Sequence, residues 1–332
     1  MWAATGNREE PAMSIALGLG LMEFPFPDAD AYWRWVDLCE EGGVDSLWQT
    51  DRILSSEPIL EPLSAMAALA GRTRRIKFGV NVVSLALRDP VLVAKQCATI
   101  DVLSNGRLLP AFGIGSPRAP EWGALHLDTG TRGRKTDEGL EIIGRLWRED
   151  KVDFAGVHYR LSGASIAPKP VQVALPMWIG GSSPAAIRRT ARYGTGWQAG
   201  PETPIEAGRI VTAIRAATTE LGRAIDADHY GAGFPFYFGQ AGAPHVERAM
   251  DAYTRRTGKA ADDYFAIGDA DTILARLAEY IGAGIAKFVL RPLGADGADV
   301  MGQTRRLIAE VLPEVAARWP RPSKEAIKPA KG

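Results

Sequence analysis

The feature of the sequence that most constrains its fold is a regular alternation between short apolar runs and longer amphipathic segments. Most of the short runs are continuously apolar rather than alternating between apolar and polar residues, which is typical of parallel strands covered on both faces. These runs predict eight strands, at 15–21, 46–48, 76–85, 108–114, 177–179, 196–198, 233–238 and 287–290.

Segments of helical length separate the strands, and glycines follow many of them where helices commonly end. Eight strand–helix units joined by right-handed connections close into a barrel. The sequence therefore predicts an α/β fold, a single (β/α)8 TIM barrel over residues 13–320, with flexible tails at 1–12 and 321–332. The predicted helices are 29–41, 59–70, 90–103, 134–148, 184–193, 205–221, 244–257 with 270–283, and 300–317.

One region, residues 151–176, interrupts the alternation. Aromatic and β-branched residues flank Gly156, and Pro168, Pro170 and Pro176 follow. This composition favours a small hairpin and an extended arm over a helix. We expect the region to form a hairpin or loop insertion on the surface of the barrel.

Composition excludes several classes of partner. Lysine plus arginine and aspartate plus glutamate both number 39, so no global field attracts nucleic acid or an anionic membrane. No apolar run approaches the roughly 18 residues of a membrane span, and the first dozen residues lack the order of a signal peptide. The four histidines and two cysteines show no metal-ligand spacing. We expect a soluble cytoplasmic protein without a metal.

The strongest local signal follows the fifth predicted strand, where Gly180, Gly181, Ser182 and Ser183 precede a helix that begins near Pro184. Barrel enzymes carry their sites at the carboxyl ends of the strands. Bare backbone N–H groups and hydroxyls at a helix N-terminus can bind an anion, and the two glycines let a phosphate approach closely. A plain strand–helix turn with serine caps explains the same residues without a ligand.

An ordered set of motifs resembles the bacterial-luciferase-like family, and the resemblance extends from residue 15 to 317. The family comprises FMN-dependent monooxygenases and oxidoreductases that use the deazaflavin coenzyme of the F-420 type. It implies an enzyme with either cofactor, a homodimer, and a separate reductase that supplies reduced cofactor. The motifs are DSLWQTD at 45–51, RDPVLVAKQCATIDVLSNGR at 88–107, GIG at 113–115, RKTDE at 134–138, PKPVQ at 168–172, WIGGS at 178–182 and FVLRP at 288–292.

The resemblance also implies where the cofactor lies. Gly181 and Ser182, with Ser183, match the family's turn for the cofactor phosphate. Asn81 and Val82 match the position on the third strand where the family places a bulge with a non-prolyl cis peptide behind the isoalloxazine ring.

Four further residues are candidates, each with a plainer alternative. Asp51 falls where deazaflavin members often carry an Asp-His pair, but Arg52 follows it here, so Asp51 is either catalytic or a structural ion-pair partner. Ser116 stands where some members have a charged functional residue. Arg134 either contacts the cofactor or belongs to a solvated helix face. His126, in the loop after the fourth strand, is either a substrate-side acid or base or a surface residue.

These observations predict a flavin- or deazaflavin-dependent oxidoreductase acting on a small organic substrate, by monooxygenation or by hydride transfer. The alternatives are a non-redox phosphate-ligand barrel enzyme, an isomerase or lyase, and a flavin-binding protein without turnover. Aromatic residues near the strand ends suggest an apolar mouth and substrate. They are Phe24, Phe26, Trp122, Phe236, Tyr237 and Phe238.

Overall fold

The computed structural model describes residues 14–320, so both predicted tails, 1–12 and 321–332, lie outside the described residues. Every predicted strand is present in that range, two of them divided by a break, and the predicted insertion supplies a separate pair. The strands are β1 (Ala16–Leu21), β2 (Ser46–Gln49), β3 (Lys77–Val80), β4 (Val83–Ser84), β5 (Leu108–Leu109), β6 (Ala111–Gly113), β7 (Val152–Ala155), β8 (Arg160–Ala164), β9 (Trp178–Gly180), β10 (Gly196–Gln198), β11 (Tyr230–Ala232), β12 (Pro235–Phe238), β13 (Ala266–Gly268) and β14 (Lys287–Pro292).

The large sheet is parallel and closes on itself. Its pairing runs β4-β6-β9-β10-β11-β14-β1-β2-β3-β5. The path begins at β4 and ends at β5. Since β3 and β4 are two parts of the third predicted strand, and β5 and β6 are two parts of the fourth, the two ends of the path lie on the same pair of adjacent strands and the sheet is closed. The predicted single barrel is therefore confirmed.

The break in the fourth strand falls at Pro110, which has no N–H to donate to a ladder. Its carbonyl still accepts the Trp178 N–H, at 3.1 Å. The break in the third strand falls at Asn81 and Val82, between β3 and β4. The sequence prediction missed two strands. β11 precedes the predicted run 233–238 and pairs with β10 and β14, and β13 pairs with β12 at the edge of the barrel.

Helices connect the strands along the outside, and those at 29–41, 184–193 and 244–257 have the predicted bounds. The predicted helix 300–317 is divided by a π turn at 307–311. Pro313 explains the division, because it lacks the N–H that would continue the regular pattern. The helices are α1 (Ala29–Glu41), α2 (Pro62–Arg72), α3 (Pro90–Ser104), α4 (Glu121–Ala124), α5 (Arg132–Arg148), α6 (Pro184–Tyr193), α7 (Pro204–Glu220), α8 (Pro244–Thr257), α9 (Ala270–Gly282), α10 (Gly297–Arg306) and α11 (Leu312–Arg318).

Two tryptophans fill the inside of the barrel. Trp48 and Trp178 are buried together with Ala111 and Val289. Glycines on adjacent strands make room for the rings, since a Cβ at Gly79 would lie 2.7 Å from Trp48 and one at Gly196 would lie 2.6 Å from Trp178. The barrel is thus plugged, and a ligand must bind beyond this layer, towards the carboxyl ends of the strands.

The insertion forms the predicted hairpin, in which β7 and β8 pair antiparallel. The carboxylate of Glu138, on α5, accepts hydrogen bonds from the backbone N–H groups of Val157, His158 and Tyr159 at 2.9–3.1 Å. One acidic side chain thereby fixes the tip of the hairpin against the barrel. Within residues 14–320, no helix combines the length and apolar character that crossing a bilayer requires.

Candidate active site

A cavity of about 350 Å³ opens at the carboxyl ends of the strands. Its walls come from residues within 50–52, 81–87, 113–121 and 180–181, which follow or interrupt β2, β3, β6 and β9. A volume of this size suits a small ligand or part of a cofactor. The predicted site residues that line it are Asp51, Asn81, Val82, Ser116, Gly180 and Gly181.

Val82 forms the floor of the cavity. A Cβ at Gly113 would approach its Cγ2 to 2.6 Å, and one at Gly180 would approach its Cγ1 to 3.0 Å. The two glycines therefore leave room for the Val82 side chain, which packs on the tryptophan layer and gives the cavity an apolar floor. The peptide bond between Asn81 and Val82 is cis, as the resemblance predicted.

The turn after β9 joins this floor to a helix N-terminus. Gly181 has a φ of +106°, a conformation that favours glycine, and its carbonyl accepts the Trp197 Nε1–H at 2.8 Å. Ser183 caps α6, because its hydroxyl oxygen accepts the Ala186 N–H at 3.2 Å. Ser182 is exposed between them. The turn therefore presents a hydroxyl and the positive end of a helix dipole beside the cavity.

Asp51 is held by Arg88. The two side chains form a bidentate pair in which both N···O distances are 2.8 Å, and Asp51 Oδ2 also accepts the Ser84 N–H at 2.7 Å. The side chain of Asp51 is 2% exposed and that of Arg88 is 11% exposed. Burial alone would lower the pKa of Arg88, but hydrogen bonds and charge from Asp51 and Glu61 raise it. With both oxygens occupied, Asp51 orders the wall of the cavity rather than offering a free acid or base.

Glu121 is a cavity residue that the sequence prediction missed. Its side chain is 2% exposed, and Oε1 accepts the N–H groups of Ile53 at 3.2 Å and Leu54 at 3.3 Å. Among residues 14–320, no group donates a hydrogen bond to Oε2, and Arg52 Nη1 lies 3.9 Å from it. Burial would raise the pKa of Glu121, yet the backbone hydrogen bonds and Arg52 together lower it. A single glutamate in a polar loop gave no signal in the sequence.

The other predicted residues lie at or beyond the rim. Ser116 is exposed on the lining. Arg134 is exposed on the first turn of α5. This helix is joined to α6 by an ion pair in which Arg189 Nε donates to Asp137 Oδ1 at 2.6 Å. His126 is exposed after α4 with a φ of +53°, and it is not among the described lining residues. An acid or base role for His126 therefore has no geometric support.

The predicted aromatic mouth is not what the structure shows. Phe26, Trp122, Phe236 and Phe238 are buried in packing rather than facing a ligand, and the described lining of the cavity contains no aromatic side chain. Backbone, small residues and paired charges form its walls instead. The structure also brings together ligand atoms of Asp226, Asp228 and His229 within 4.8 Å of one another. These groups are largely exposed, a common arrangement without any ion, so we continue to predict no metal.

Comparison with known proteins agrees with the fold and the cavity. Residues 12–265 match the family described as luciferase-like monooxygenase. Because the match spans most of the chain, the chain belongs to the luciferase-like family. The family resemblance inferred from the motifs is therefore confirmed, and the reading as a non-redox isomerase or lyase is set aside.

Individual relatives are oxidoreductases. An F420-dependent glucose-6-phosphate dehydrogenase from Amycolatopsis mediterranei is 26% identical over 318 residues, covering 84% of this chain and 92% of the relative. Monooxygenase RslO1 from Streptomyces bottropensis has a TM-score of 0.78 at 20% identity, covering 91% of this chain and 100% of that one. An F420-dependent secondary alcohol dehydrogenase, with a bound F420-acetone adduct, has a TM-score of 0.78 at 17% identity, covering 90% and 98%. The prediction of an oxidoreductase that uses a flavin or a deazaflavin is confirmed at this level.

Proposed function

We propose that this chain is a deazaflavin-dependent oxidoreductase that transfers hydride between an F-420-type coenzyme and a small organic molecule. The observation that carries the proposal is the floor of Val82 over Gly113 and Gly180, placed next to the turn 181–183. An apolar floor beside a helix N-terminus fits a planar ring that is tethered to a phosphate. A relative that matches 84% of the chain is named for its use of F420.

Within this proposal, the turn holds the phosphate. The N–H of Gly181 and the hydroxyl groups of Ser182 and Ser183 donate to its oxygens, and the dipole of α6 favours its charge. Arg134 lies at the top of α5, which Arg189 fixes next to α6, so it reaches the outer part of the cofactor.

Val82 would support the ring and Asn81 would offer its amide to the polar edge, while Ser116 stands at the rim of the cavity. When bound, the deazaflavin supplies a carbon centre that exchanges hydride. The protein's own residues orient the ring and shape the space for the substrate. Asp51 acts as a positioning residue, because it fixes Arg88 and the backbone of Ser84 in the wall.

Monooxygenation with FMN is the second candidate, and two departures from the family pattern favour it. Arg52 follows Asp51 where deazaflavin members often have a histidine, and Ser116 replaces a charged residue. The chain therefore lacks groups that resemble the proton donors of those members. With FMN, a separate flavin reductase would supply the reduced cofactor.

The test is a titration of the purified protein with F420 and with FMN, followed by cofactor absorbance and fluorescence. We expect saturable binding of F420 that is tighter than binding of FMN, and slow reaction of the reduced complex with oxygen. Tighter FMN binding with rapid oxygen consumption would support the second candidate. Failure of both cofactors to bind would overturn the proposal, and binding without any turnover would indicate a flavin-binding protein.

Three further properties belong to the same proposal. We propose that residues 13–320 form one domain, that the protein is cytoplasmic, and that it acts as a homodimer. The described part of this range forms one barrel, which supports the first of these. Sedimentation of the purified protein would test the last.

A further inference from the structure

Glu121 places a negative charge in the cavity wall, and the described residues donate hydrogen bonds to only one of its two carboxylate oxygens. Oε1 is occupied by two backbone N–H groups, whereas Oε2 has no hydrogen-bond donor among residues 14–320. The side chain is 2% exposed, and the residue lines the cavity. A buried carboxylate oxygen without a donor is costly, and a ligand that supplies a donor recovers that cost.

The other charges of the cavity wall do not cancel this one. Asp51 and Arg88 neutralise each other through their bidentate pair. Arg52 lies 3.9 Å from Oε2, beyond hydrogen-bond distance, and its side chain is 42% exposed. Water screens the Arg52 charge much more than the buried Glu121 charge.

We propose that Glu121 is a specificity-determining residue that accepts a hydrogen bond from the substrate, and that it selects hydroxyl- or ammonium-bearing molecules over carboxylates and phosphate esters. The inference rests on the proposed function only in taking this cavity as the substrate site. An anionic substrate would bring like charge against a buried carboxylate, whereas an alcohol or an ammonium group supplies the missing donor.

Three probes of one shape test this selection: cyclohexylammonium, cyclohexanol and cyclohexanecarboxylate. Their dissociation constants are measured by ligand-observed NMR on two samples of the protein, one titrated with F420 and one with FMN. A hydrogen bond to a charged group corresponds to about ten- to hundredfold in affinity. We therefore expect the ammonium to bind at least about tenfold more tightly than the carboxylate, with the alcohol between them.

Two variants shift this ratio in opposite directions if the inference is right. Glu121→Gln keeps an oxygen for the N–H groups of Ile53 and Leu54, but turns Oε2 into a donor, so the preference for ammonium should vanish. Arg52→Gln removes the partial counter-charge and should strengthen that preference. Glu57→Gln, an exposed change on the same loop, should leave the ratio unchanged. A structural role alone would not produce shifts of opposite sign.

The inference is overturned if the wild-type protein binds the carboxylate as tightly as the ammonium, or if neither Glu121→Gln nor Arg52→Gln changes the ratio. Should Glu121→Gln fail to fold, the ratio of ammonium to carboxylate affinity in the wild type, and the change of that ratio in Arg52→Gln, still decide whether the inference holds. The cofactor titration on the same samples separates the two proposals. Selective probe binding without cofactor binding would remove the proposed function alone, and cofactor binding without selectivity would remove only the role of Glu121.

Discussion

Removing the carboxylate of Asp51 should destabilise the protein strongly, because it would leave Arg88 as a buried charge with a poorer partner. Asp51→Ala deletes two charge-assisted hydrogen bonds of 2.8 Å and the bond to the Ser84 N–H at 2.7 Å. Arg88, 11% exposed, would retain only Glu61, at 3.2 Å, whose side chain is 42% exposed. Breaking a buried pair by removing one partner costs about 3–5 kcal/mol. With Glu61 as partial compensation, we expect a loss of about 3 kcal/mol.

The double variant Asp51→Leu with Arg88→Met distinguishes a buried charge from a generally sensitive position. Replacing both members of a buried pair by apolar residues of similar volume is often nearly neutral, so we expect a cost of no more than about 1 kcal/mol. Asp37→Ala is the matched control, because Asp37 pairs with Arg72 on the surface at 2.5 Å. Exposed pairs contribute about 0–1 kcal/mol.

Urea unfolding measures these free energies, with an unchanged slope confirming that stability alone has changed. The reasoning is refuted if Asp51→Ala costs less than about 1 kcal/mol, or if the double variant costs as much as the sum of its parts. A catalytic Asp51 would give a different pattern. Its replacement by asparagine would then change the pH profile of turnover in addition to destabilising the protein.

Three other predictions concern separate parts of the molecule. Ser182→Asp should weaken cofactor binding at least about tenfold by setting like charge against the phosphate, whereas Ser162→Asp, exposed on the hairpin, should not change the fluorescence titration. Glu138→Gln should speed hydrogen exchange of the amides at 157–159, which its carboxylate binds, and equal exchange would contradict that role. Burial raises the pKa of Glu40, but three backbone N–H groups lower it overall. Glu40 contributes about 1 kcal/mol to stability, as expected for a partly exposed group. This contribution is fully present above the unfolded pKa of about 4.3, and it is lost as the pH falls through the lower pKa of the folded state. The unfolding free energies of wild type and Glu40→Gln should converge in acid, and a constant difference would refute this.

Local signals predicted most of the fold. Asp28, Ser183 and Asp269 accept backbone N–H groups at the first turns of α1, α6 and α9, so capping residues stand where the predicted helices begin. Continuous apolar runs identified the barrel strands except β11. The division at 307–311 and the strands β11 and β13 were missed, because a π turn and three-residue strands leave almost no periodicity to detect.

The candidate site was predicted where one segment carried the signal and missed where distant segments meet. The turn 180–183 is continuous in sequence, and the structure places its first two residues, Gly180 and Gly181, in the lining of the cavity. The partner of Asp51 is Arg88, 37 residues away, whereas the sequence suggested its neighbour Arg52. Glu121 reaches the loop at 53–54 across 67–68 residues. Such pairings depend on the closure of the barrel, which no local pattern encodes.

The aromatic residues near the strand ends show a second limit of local reasoning. Phe236 and Phe238 pack edge to face at 5.9 Å and are buried, although their position suggested a mouth. Side-chain direction alternates along a strand, so proximity to a strand end does not decide whether a ring faces ligand or helix. The cavity is consequently more polar than predicted, which changes the class of substrate that we expect.

The most direct test of the central claim is a crystal structure of the protein with F420 bound. We predict the face of the ring against Val82, and a phosphate oxygen about 2.7–3.2 Å from the Gly181 N–H or the Ser182 hydroxyl. A cofactor whose phosphate lies away from the turn 181–183, or whose ring does not contact Val82, would contradict it.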